Sequence, residues 1–302
     1  MDPVLPAVAP VFGLVLAGHA LHRMSFPARA FWPASERLTY YVLFPALLVG
    51  GLSGRDFESG ALPLSLAVGG AILAVAALLW ILRPRLPLSG PVFTSVFQGG
   101  IRPNTYIALS LAAALLGADW MKLSAVALLT AIPLVNVLCV LVLSRHGEGN
   151  ATGVGAVFRQ LAGNPLILAC LTGMILNAAD VTLPVVAADF LDILGRAALP
   201  MGLLAVGAGL RPATAAGHLR PAMLSSVAHL LLLPAAAWLI ASALGAQPDM
   251  VRAALIFTAI PVAASSFILA RQMGGDHEAM AAIITVQTAL SILSIPVLLS
   301  LA

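Results

Sequence analysis

Charged side chains are scarce in this sequence. Only 9% of its 302 residues are Asp, Glu, Lys or Arg, whereas 61% are hydrophobic and the mean hydropathy is +1.03. Soluble globular domains have about 25% charged residues. The chain is therefore identified as an integral membrane protein. Its net charge of only +3 bears on the orientation of its loops, and nucleic acid is not expected as a partner.

Cysteine is also nearly absent. Cys139 and Cys170 are the only two, and both lie inside apolar stretches, where small buried side chains are expected. Neither a disulfide framework nor a thiolate metal site is expected. We therefore predict no metal and no cofactor.

Carboxylates are missing from the centres of the predicted membrane helices. Proton relays and sites for highly charged cations inside a membrane use Asp or Glu, so neither is expected. An intramembrane enzyme would need a nucleophile, an acid–base pair or a metal cluster, and none occurs at membrane depth. Ion coupling would have to use neutral polar side chains, and the candidates are Asn136, Gln287, Ser265 and Ser266. Alternatively, each of these side chains forms a hydrogen bond between helices.

Ten apolar stretches separated by short polar segments account for nearly the whole chain. Each membrane helix needs about 20 apolar residues, so no room remains for a soluble catalytic domain. The predicted crossings are residues 4–21, 38–52, 61–82, 91–116, 122–143, 164–179, 191–210, 223–244, 250–273 and 280–301. The predicted fold class is all-α, with ten transmembrane helices.

Basic residues are distributed unequally between the two sides of these crossings. Counted from an external N-terminus, ten arginines fall on the inner side and three basic residues fall outside. By the positive-inside rule, both termini lie outside. The inner set is Arg23, Arg29, Arg37, Arg83, Arg85, Arg145, Arg159, Arg211, Arg220 and Arg271, and the outer set is Arg55, Lys122 and Arg252.

The two halves of the chain share helix-breaking and aromatic residues in the same order. Three pairs are 155 residues apart and three are 158 apart, which indicates a duplication with a short insertion. The pairs are Pro10 with Pro165, Gly18 with Gly173, Pro45 with Pro200, Trp80 with Trp238, Pro103 with Pro261, and Gly117 with Gly275. Each half has five crossings, so the second copy enters the membrane inverted. We predict repeats at residues 1–144 and 161–302, joined by a short inner linker at 145–160.

The fourth and ninth stretches contain matched interruptions. Residues 98–106 include Gly99, Gly100 and Pro103, and residues 259–266 include Pro261. Broken helices at equivalent positions of inverted repeats indicate a transport site near the midplane. Free N–H groups at residues 104, 105, 262 and 263 are expected to present positive partial charge there.

Arg102 adds a full positive charge at the first interruption, at a cost of about 2.5–3.5 kcal/mol on insertion scales. It either binds a substrate anion or caps exposed carbonyl groups. Asn104 either contacts substrate or satisfies the backbone groups of the interruption, and Asn164 either contacts substrate at the inner mouth or caps the helix that follows it. The predicted substrate-binding residues are Arg102, Pro103, Asn104, Thr105, Asn136, Asn164, Pro261, Ala263 and Ser265.

Five segments together resemble the auxin efflux carrier family. They are residues 44–48 (FPALL), 102–109 (RPNTYIAL), 164–167 (NPLI), 199–210 and 260–276, and they occur in order along nearly the whole chain. The resemblance implies ten helices in two inverted five-helix repeats with crossing broken helices, similar to sodium/proton antiporters and bile-acid:sodium symporters. It also implies that Pro103, Asn104 and Pro261 border the substrate.

Two departures from the plant members refine this resemblance. The central loop at 144–160 is short, as in the bacterial branch, and plant members lack an arginine at the position of Arg102. The auxin substrate is therefore not carried over. Bacterial relatives are described as malonate or malate permeases, which agrees with an anion-binding Arg102.

We predict a secondary transporter that exports a small organic anion, a carboxylate, by alternating access. The alternative is a sodium-coupled organic-anion symporter of the bile-acid type. The expected partners are the lipid bilayer and a small anionic substrate, and a homodimer is compatible with the sequence. The predicted location is the bacterial inner membrane, with both termini in the periplasm.

Overall fold

A computed structural model describes residues 4–53, 62–148 and 162–300. The regular structure of these residues is helical, apart from one isolated bridge between Pro103 and Val262. The α-helices of the first half are α1 (Val4–Arg23), α2 (Phe31–Leu38), α3 (Phe44–Leu52), α4 (Leu62–Leu82), α5 (Gly90–Ile101), α6 (Thr105–Leu115) and α7 (Trp120–His146). Those of the second half are α8 (Pro165–Ala178), α9 (Val185–Ala208), α10 (Pro212–Ala215), α11 (Leu219–Val227), α12 (Leu233–Ala243), α13 (Pro248–Ala259), α14 (Ser265–Gln272) and α15 (His277–Ser300).

Each predicted apolar stretch coincides with one helix or with consecutive helices. Six helical stretches are long and apolar enough to span a membrane: Val4–Arg23, Leu62–Arg85, Gly117–His146, Val185–Ala208, Pro212–Ala243 and His277–Ser300. The other four predicted crossings contain shorter helices. The prediction of an all-helical membrane protein is confirmed, and the number of ten crossings stays a prediction.

The second predicted crossing begins seven residues earlier than expected. Helix α2 starts at Phe31 and continues through a π-helical turn, Thr39–Leu43, into α3. Residues 31–38 include Ser35, Glu36 and Arg37 beside aromatic residues, so a search for apolar runs does not find this helix.

The helices pack in two groups. The frame group consists of α1, α3, α8 and α9, and its main contacts are α1 with α9, α3 with α8, and α3 with α9. The core group consists of α4, α5, α7, α11, α12, α13 and α15, which contact one another extensively. Helix α6 contacts both groups, through α1 and α9 on one side and α7 and α13 on the other.

Glycines allow the close approach of α1 and α9. A Cβ atom at Gly18 would overlap the backbone of Leu204, and one at Gly207 would overlap the backbone of Val15. Because backbone atoms cannot move aside as a side chain end does, only glycine fits at these two positions.

Some predicted features lie outside the described residues. Residues 149–160 of the predicted linker are among them, as are both chain ends and the outer-loop residue Arg55. The boundaries of the two predicted repeats stay predictions.

Candidate functional site

Two short connecting segments lie side by side within the core group. The first, residues 102–104, connects α5 to α6, and the second, residues 260–264, connects α13 to α14. They pair in antiparallel fashion: Asn104 N–H donates to Pro261 O at 2.9 Å, and Ala263 N–H donates to Arg102 O at 2.9 Å. The backbone groups released where α5 and α13 end therefore bond to each other.

Gln287 of α15 fixes both segments from one side. Its Oε1 accepts a hydrogen bond from Val262 N–H at 2.9 Å. Its Nε2 donates to Gly99 O at 2.9 Å and to Ser225 Oγ at 3.0 Å. This fully buried side chain thus connects α15 to α5, to α11 and to the second segment. Of the two roles considered for Gln287, ion coupling and hydrogen bonding between helices, the structure shows the hydrogen bonds.

The free N–H groups differ from those expected. The N–H groups of Asn104, Val262 and Ala263 are hydrogen-bonded, because the two segments pair with each other and with Gln287. At the beginnings of α6 and α14, the N–H groups for which the described structure shows no acceptor are those of Thr105, Ala264 and Ser265. The prediction was wrong for three of its four positions.

Asn104 and Asn164 cap helices in the same way. Asn104 Oδ1 accepts from the N–H groups of Tyr106 at 3.1 Å and Ile107 at 3.3 Å. Asn164 Oδ1 accepts from those of Leu166 at 3.0 Å and Ile167 at 3.3 Å. Such a cap contributes about 1 kcal/mol to helix stability. The side-chain oxygens are therefore occupied, and Asn104 Nδ2 also donates to Val262 O at 3.5 Å.

Two adjoining cavities lie beside the connecting segments. The smaller has a volume of about 60 Å³ and the larger about 660 Å³. The larger extends from the first segment to Arg37, Gly163 and Gln272, which lie at helix ends next to the predicted inner loops. Both cavities have walls from each half of the chain.

The structure brings most of the predicted site residues to these cavities. Arg102, Thr105, Asn136, Asn164, Ala263 and Ser265 line both, Pro103 lines the smaller one, and Asn104 lines the larger one. Pro261 lines neither cavity: it is buried, and its carbonyl group accepts the hydrogen bond from Asn104.

Arg102 is the cationic group nearest to the paired segments. Among the described residues it has no carboxylate within salt-bridge distance, and its buried Nη1 atom has no hydrogen-bond partner. Its guanidinium lies near the buried thiol of Cys139 and within electrostatic reach of Tyr40. Its charge is therefore not neutralised by the protein around it.

Asn136 and Ser265 offer polar side chains to the cavities. Within the described part of the chain, neither side chain has a hydrogen-bond partner. Asn136, on α7, is 7% exposed, and Ser265 begins α14. The hydrogen bond between helices that was the alternative role for Asn136 does not occur among the described residues.

Several cavity residues were missed by sequence reasoning. Glu36 and Tyr40 line the larger cavity with Tyr106 and Gln272. Tyr106 stacks on Phe44, with ring centroids 4.8 Å apart and an interplanar angle of 6°. The available signal was the spacing of Glu36 and Tyr40, four residues apart, which places them on one face of a continuous helix.

Residues 3–299 match the family described as membrane transport protein, which comprises the auxin efflux carriers. The chain belongs to the auxin efflux carrier family. A search of curated protein sequences finds no match to this carrier.

Membership of the auxin efflux carrier family assigns the general activity. The carrier is a multi-pass integral membrane protein that transports a substrate across a lipid bilayer, and it is not an enzyme. In the described residues of the carrier, no three His, Cys, Asp or Glu side chains are grouped to hold a metal ion. Its cavities beside the paired segments are the candidate substrate site.

Proposed function

We propose that this carrier is a secondary transporter that exports a small organic anion, a carboxylate, by alternating access. The observation that carries the proposal is the unpaired guanidinium of Arg102 at the cavity wall. A buried or half-buried arginine is normally paired, and a carboxylate substrate would supply the missing partner in bidentate geometry.

Polar groups around Arg102 support an anionic ligand. The free N–H groups of Thr105, Ala264 and Ser265 belong to residues of the same larger cavity. They begin two helices, whose N-termini carry positive partial charge. Asn136 adds an amide that can donate a further hydrogen bond. The ligand would thus meet one full charge and several N–H donors.

The contacts between helices support an inverted duplication. If α1, α3, α4, α5 and α7 correspond to α8, α9, α12, α13 and α15, contacts between helices occur in matched pairs. The contact of α1 with α9 corresponds to that of α8 with α3, and the contact of α5 with α15 corresponds to that of α13 with α7. Gly18 of α1 packs on Leu204, and its repeat mate Gly173 of α8 packs on Leu52.

This arrangement suits alternating access. The frame group supplies Asn164 to the cavity wall, whereas the core group supplies Arg102 and Asn136. Movement of one group against the other would therefore open the site to the opposite side. With the orientation given by the basic loops, the larger cavity faces the cytoplasm, which corresponds to an inward-facing state ready to load an exported anion.

The bacterial branch of the family gives the substrate class to test first. Malonate and malate are small carboxylates that would fit a cavity of about 660 Å³. A bacterial inner membrane, periplasmic termini and repeats at residues 1–144 and 161–302 belong to the same proposal.

Transport in proteoliposomes tests this function. The purified carrier is reconstituted, and exchange of labelled malonate, malate and pyruvate is measured. Arg102→Gln is expected to lose exchange at least tenfold, because the ligand loses its charged partner. Arg102→Lys should retain part of the activity, since the charge stays but the bidentate geometry is lost. Arg220→Gln, an exposed arginine on α11, is the matched control.

Two results would contradict the proposal. One is the absence of exchange for every carboxylate tested; the other is unchanged exchange in Arg102→Gln. A sodium gradient is imposed in a parallel experiment. Carboxylate accumulation that follows this gradient would favour the sodium-coupled symporter instead.

A further inference from the structure

We propose that Glu36 binds a proton that is transported together with the anion, so that the carrier is a proton–carboxylate cotransporter. The inference rests on the proposed function, because it names the coupling ion of the same cavity. It also reverses the expectation, drawn from the apolar stretches alone, that no carboxylate takes part in coupling.

Glu36 lies in the wall of the larger cavity. It lies on α2, one helical turn before Tyr40, and both side chains line the larger cavity that contains Arg102. Glu36 also lies within electrostatic reach of Tyr106 of α6, which lines the same cavity. Of the described residues that line either cavity, Glu36 is the one carboxylate.

In the described part of the chain, the side chain of Glu36 has no partner. Within the described ranges it forms neither an ion pair nor a side-chain hydrogen bond, although Arg37 and Arg102 line the same cavity. Its side chain is half-buried in the wall of the larger cavity. A carboxyl group in this position is suited to exchange protons with the water of the cavity.

The surrounding charges determine the direction of coupling. In the empty cavity, Arg102 and Arg37 carry positive charges on walls that Glu36 shares. A bound carboxylate adds one negative charge to this cavity. Two like charges about 10 Å apart at an effective dielectric constant of about 20 change an affinity on the order of tenfold. Anion binding therefore favours protonation of Glu36, and protonation of Glu36 favours anion binding.

Other titratable groups near Glu36 do not replace it. The elements packed against α2 carry the phenols Tyr40 and Tyr41 on the π-helical turn, and Asp189, Asp192 and Arg196 on α9. Asp192 and Arg196 form an exposed ion pair with each other. Gly195, close to this pair on α9, packs on Leu47 of α3. Leu47 is eleven residues after Glu36, which corresponds to about 16 Å along the helix. His22 of α1 contacts Trp32 at the beginning of α2.

The chemical balance of the cycle is simple. The Glu36 carboxylate takes one proton from water on the side to which the cavity opens, and the substrate carboxylate binds at Arg102 without any covalent change. After the site opens to the other side, the anion and the proton leave together. One anion and one proton cross per cycle, so a monocarboxylate such as pyruvate moves no net charge, whereas a dicarboxylate dianion such as malonate moves one negative charge.

The test uses proteoliposomes of the full-length carrier with labelled malonate, malate and pyruvate. In the native carrier, a proton gradient alone should drive accumulation of the anion, and anion affinity should fall at least fivefold as pH rises through the titration of Glu36. Glu36→Gln mimics the protonated form. It should lose the gradient-driven accumulation and the pH dependence while it still exchanges anion for anion.

Controls separate the titration of Glu36 from other effects. Glu278→Gln changes an exposed carboxylate at the start of α15, outside both cavities, and should behave as the native carrier. A pH dependence due to the substrate itself would persist in Glu36→Gln. Unchanged thermal stability of Glu36→Gln verifies its folding.

Three outcomes overturn the inference. Gradient-driven accumulation that persists in Glu36→Gln shows that another group binds the proton. Exchange by the native carrier without any response to a proton gradient removes the coupling but leaves the proposed function intact. Absence of exchange for every carboxylate in the native carrier removes both.

Discussion

At the scale of single residues, the polar side chains of the site divide into those that hold the backbone and those that face the cavities. Gln287 and the Oδ1 atoms of Asn104 and Asn164 hold backbone N–H groups. Arg102 and Asn136 have no such bonds among the described residues. Substitutions in the two classes should consequently have different effects.

Replacing Gln287 tests the first class. Gln287→Leu should lower both thermal stability and transport, because it leaves Val262 N–H and Gly99 O without partners. Leaving a buried polar group without a partner costs about 1–3 kcal/mol of stability in proteins. A hydrogen bond between membrane helices contributes about 0.6 kcal/mol on average. Thermal unfolding in detergent measures the effect.

Thr288→Val is the control for this variant. Thr288 is buried one residue along the same helix, and its hydroxyl group donates only to Ile284 O of α15. It should change stability much less than Gln287→Leu. Equal losses in the two variants would argue against a special role for Gln287.

Two asparagines of the cavity wall can be separated in the same way. Asn136→Ala should raise the KM for the transported carboxylate without a change in melting temperature, because its amide has no partner in the described structure. Asn104→Ala should lower the melting temperature, because it removes a helix cap that contributes about 1 kcal/mol to stability. Transport kinetics and thermal unfolding distinguish them. A melting temperature that drops equally in both variants contradicts this division.

At the scale of helices, the frame group depends on close contact between α1 and α9. Gly18→Ala should destabilise the protein by about 1–3 kcal/mol, because the added methyl group overlaps the backbone of Leu204. Gly13→Ala, on the same helix, meets no atom within 4 Å and is expected to be neutral or slightly stabilising. The melting temperatures of the two variants measure the difference, and the prediction fails if Gly18→Ala is tolerated as well as Gly13→Ala.

Sequence reasoning predicted helices better than it predicted their partners. Apolar runs and the Gly and Pro residues at 98–106 and 259–266 indicated where α5 and α13 end, because these residues act on their own backbone. The start of α2 was missed because its residues are mixed in polarity. The partners of Val262 and Ala263 were missed because they come from segments distant in sequence. Glu36 was missed because it lies in this mixed segment, and because most other residues of its cavity are distant in sequence.

At the scale of the whole molecule, the larger cavity extends to helix ends next to the predicted inner loops. Ser265 lines both cavities, whereas Ser266 is fully buried. In the proposed inward-facing state, Ser265→Cys should react with a membrane-impermeant maleimide from the cytoplasmic side, and bound malonate should slow the reaction. The native Cys139 and Cys170 are buried and should stay unlabelled.

Ser266→Cys is the matched control and should react slowly from either side. Labelling is compared in inside-out and right-side-out vesicles. Faster reaction of Ser265→Cys from the periplasmic side would contradict the orientation deduced from the basic loops or the inward-facing state.

The pairing of the two connecting segments has a consequence for how such carriers diversify. The hydrogen bonds between the segments are made by backbone atoms at residues 102, 104, 261 and 263, so most side chains there can change without breaking the pairing. Arg102 can therefore be exchanged for a neutral residue, or Ala263 for a polar one, while the surrounding frame persists. A protein built in this way can acquire new substrates through single substitutions and needs no new fold.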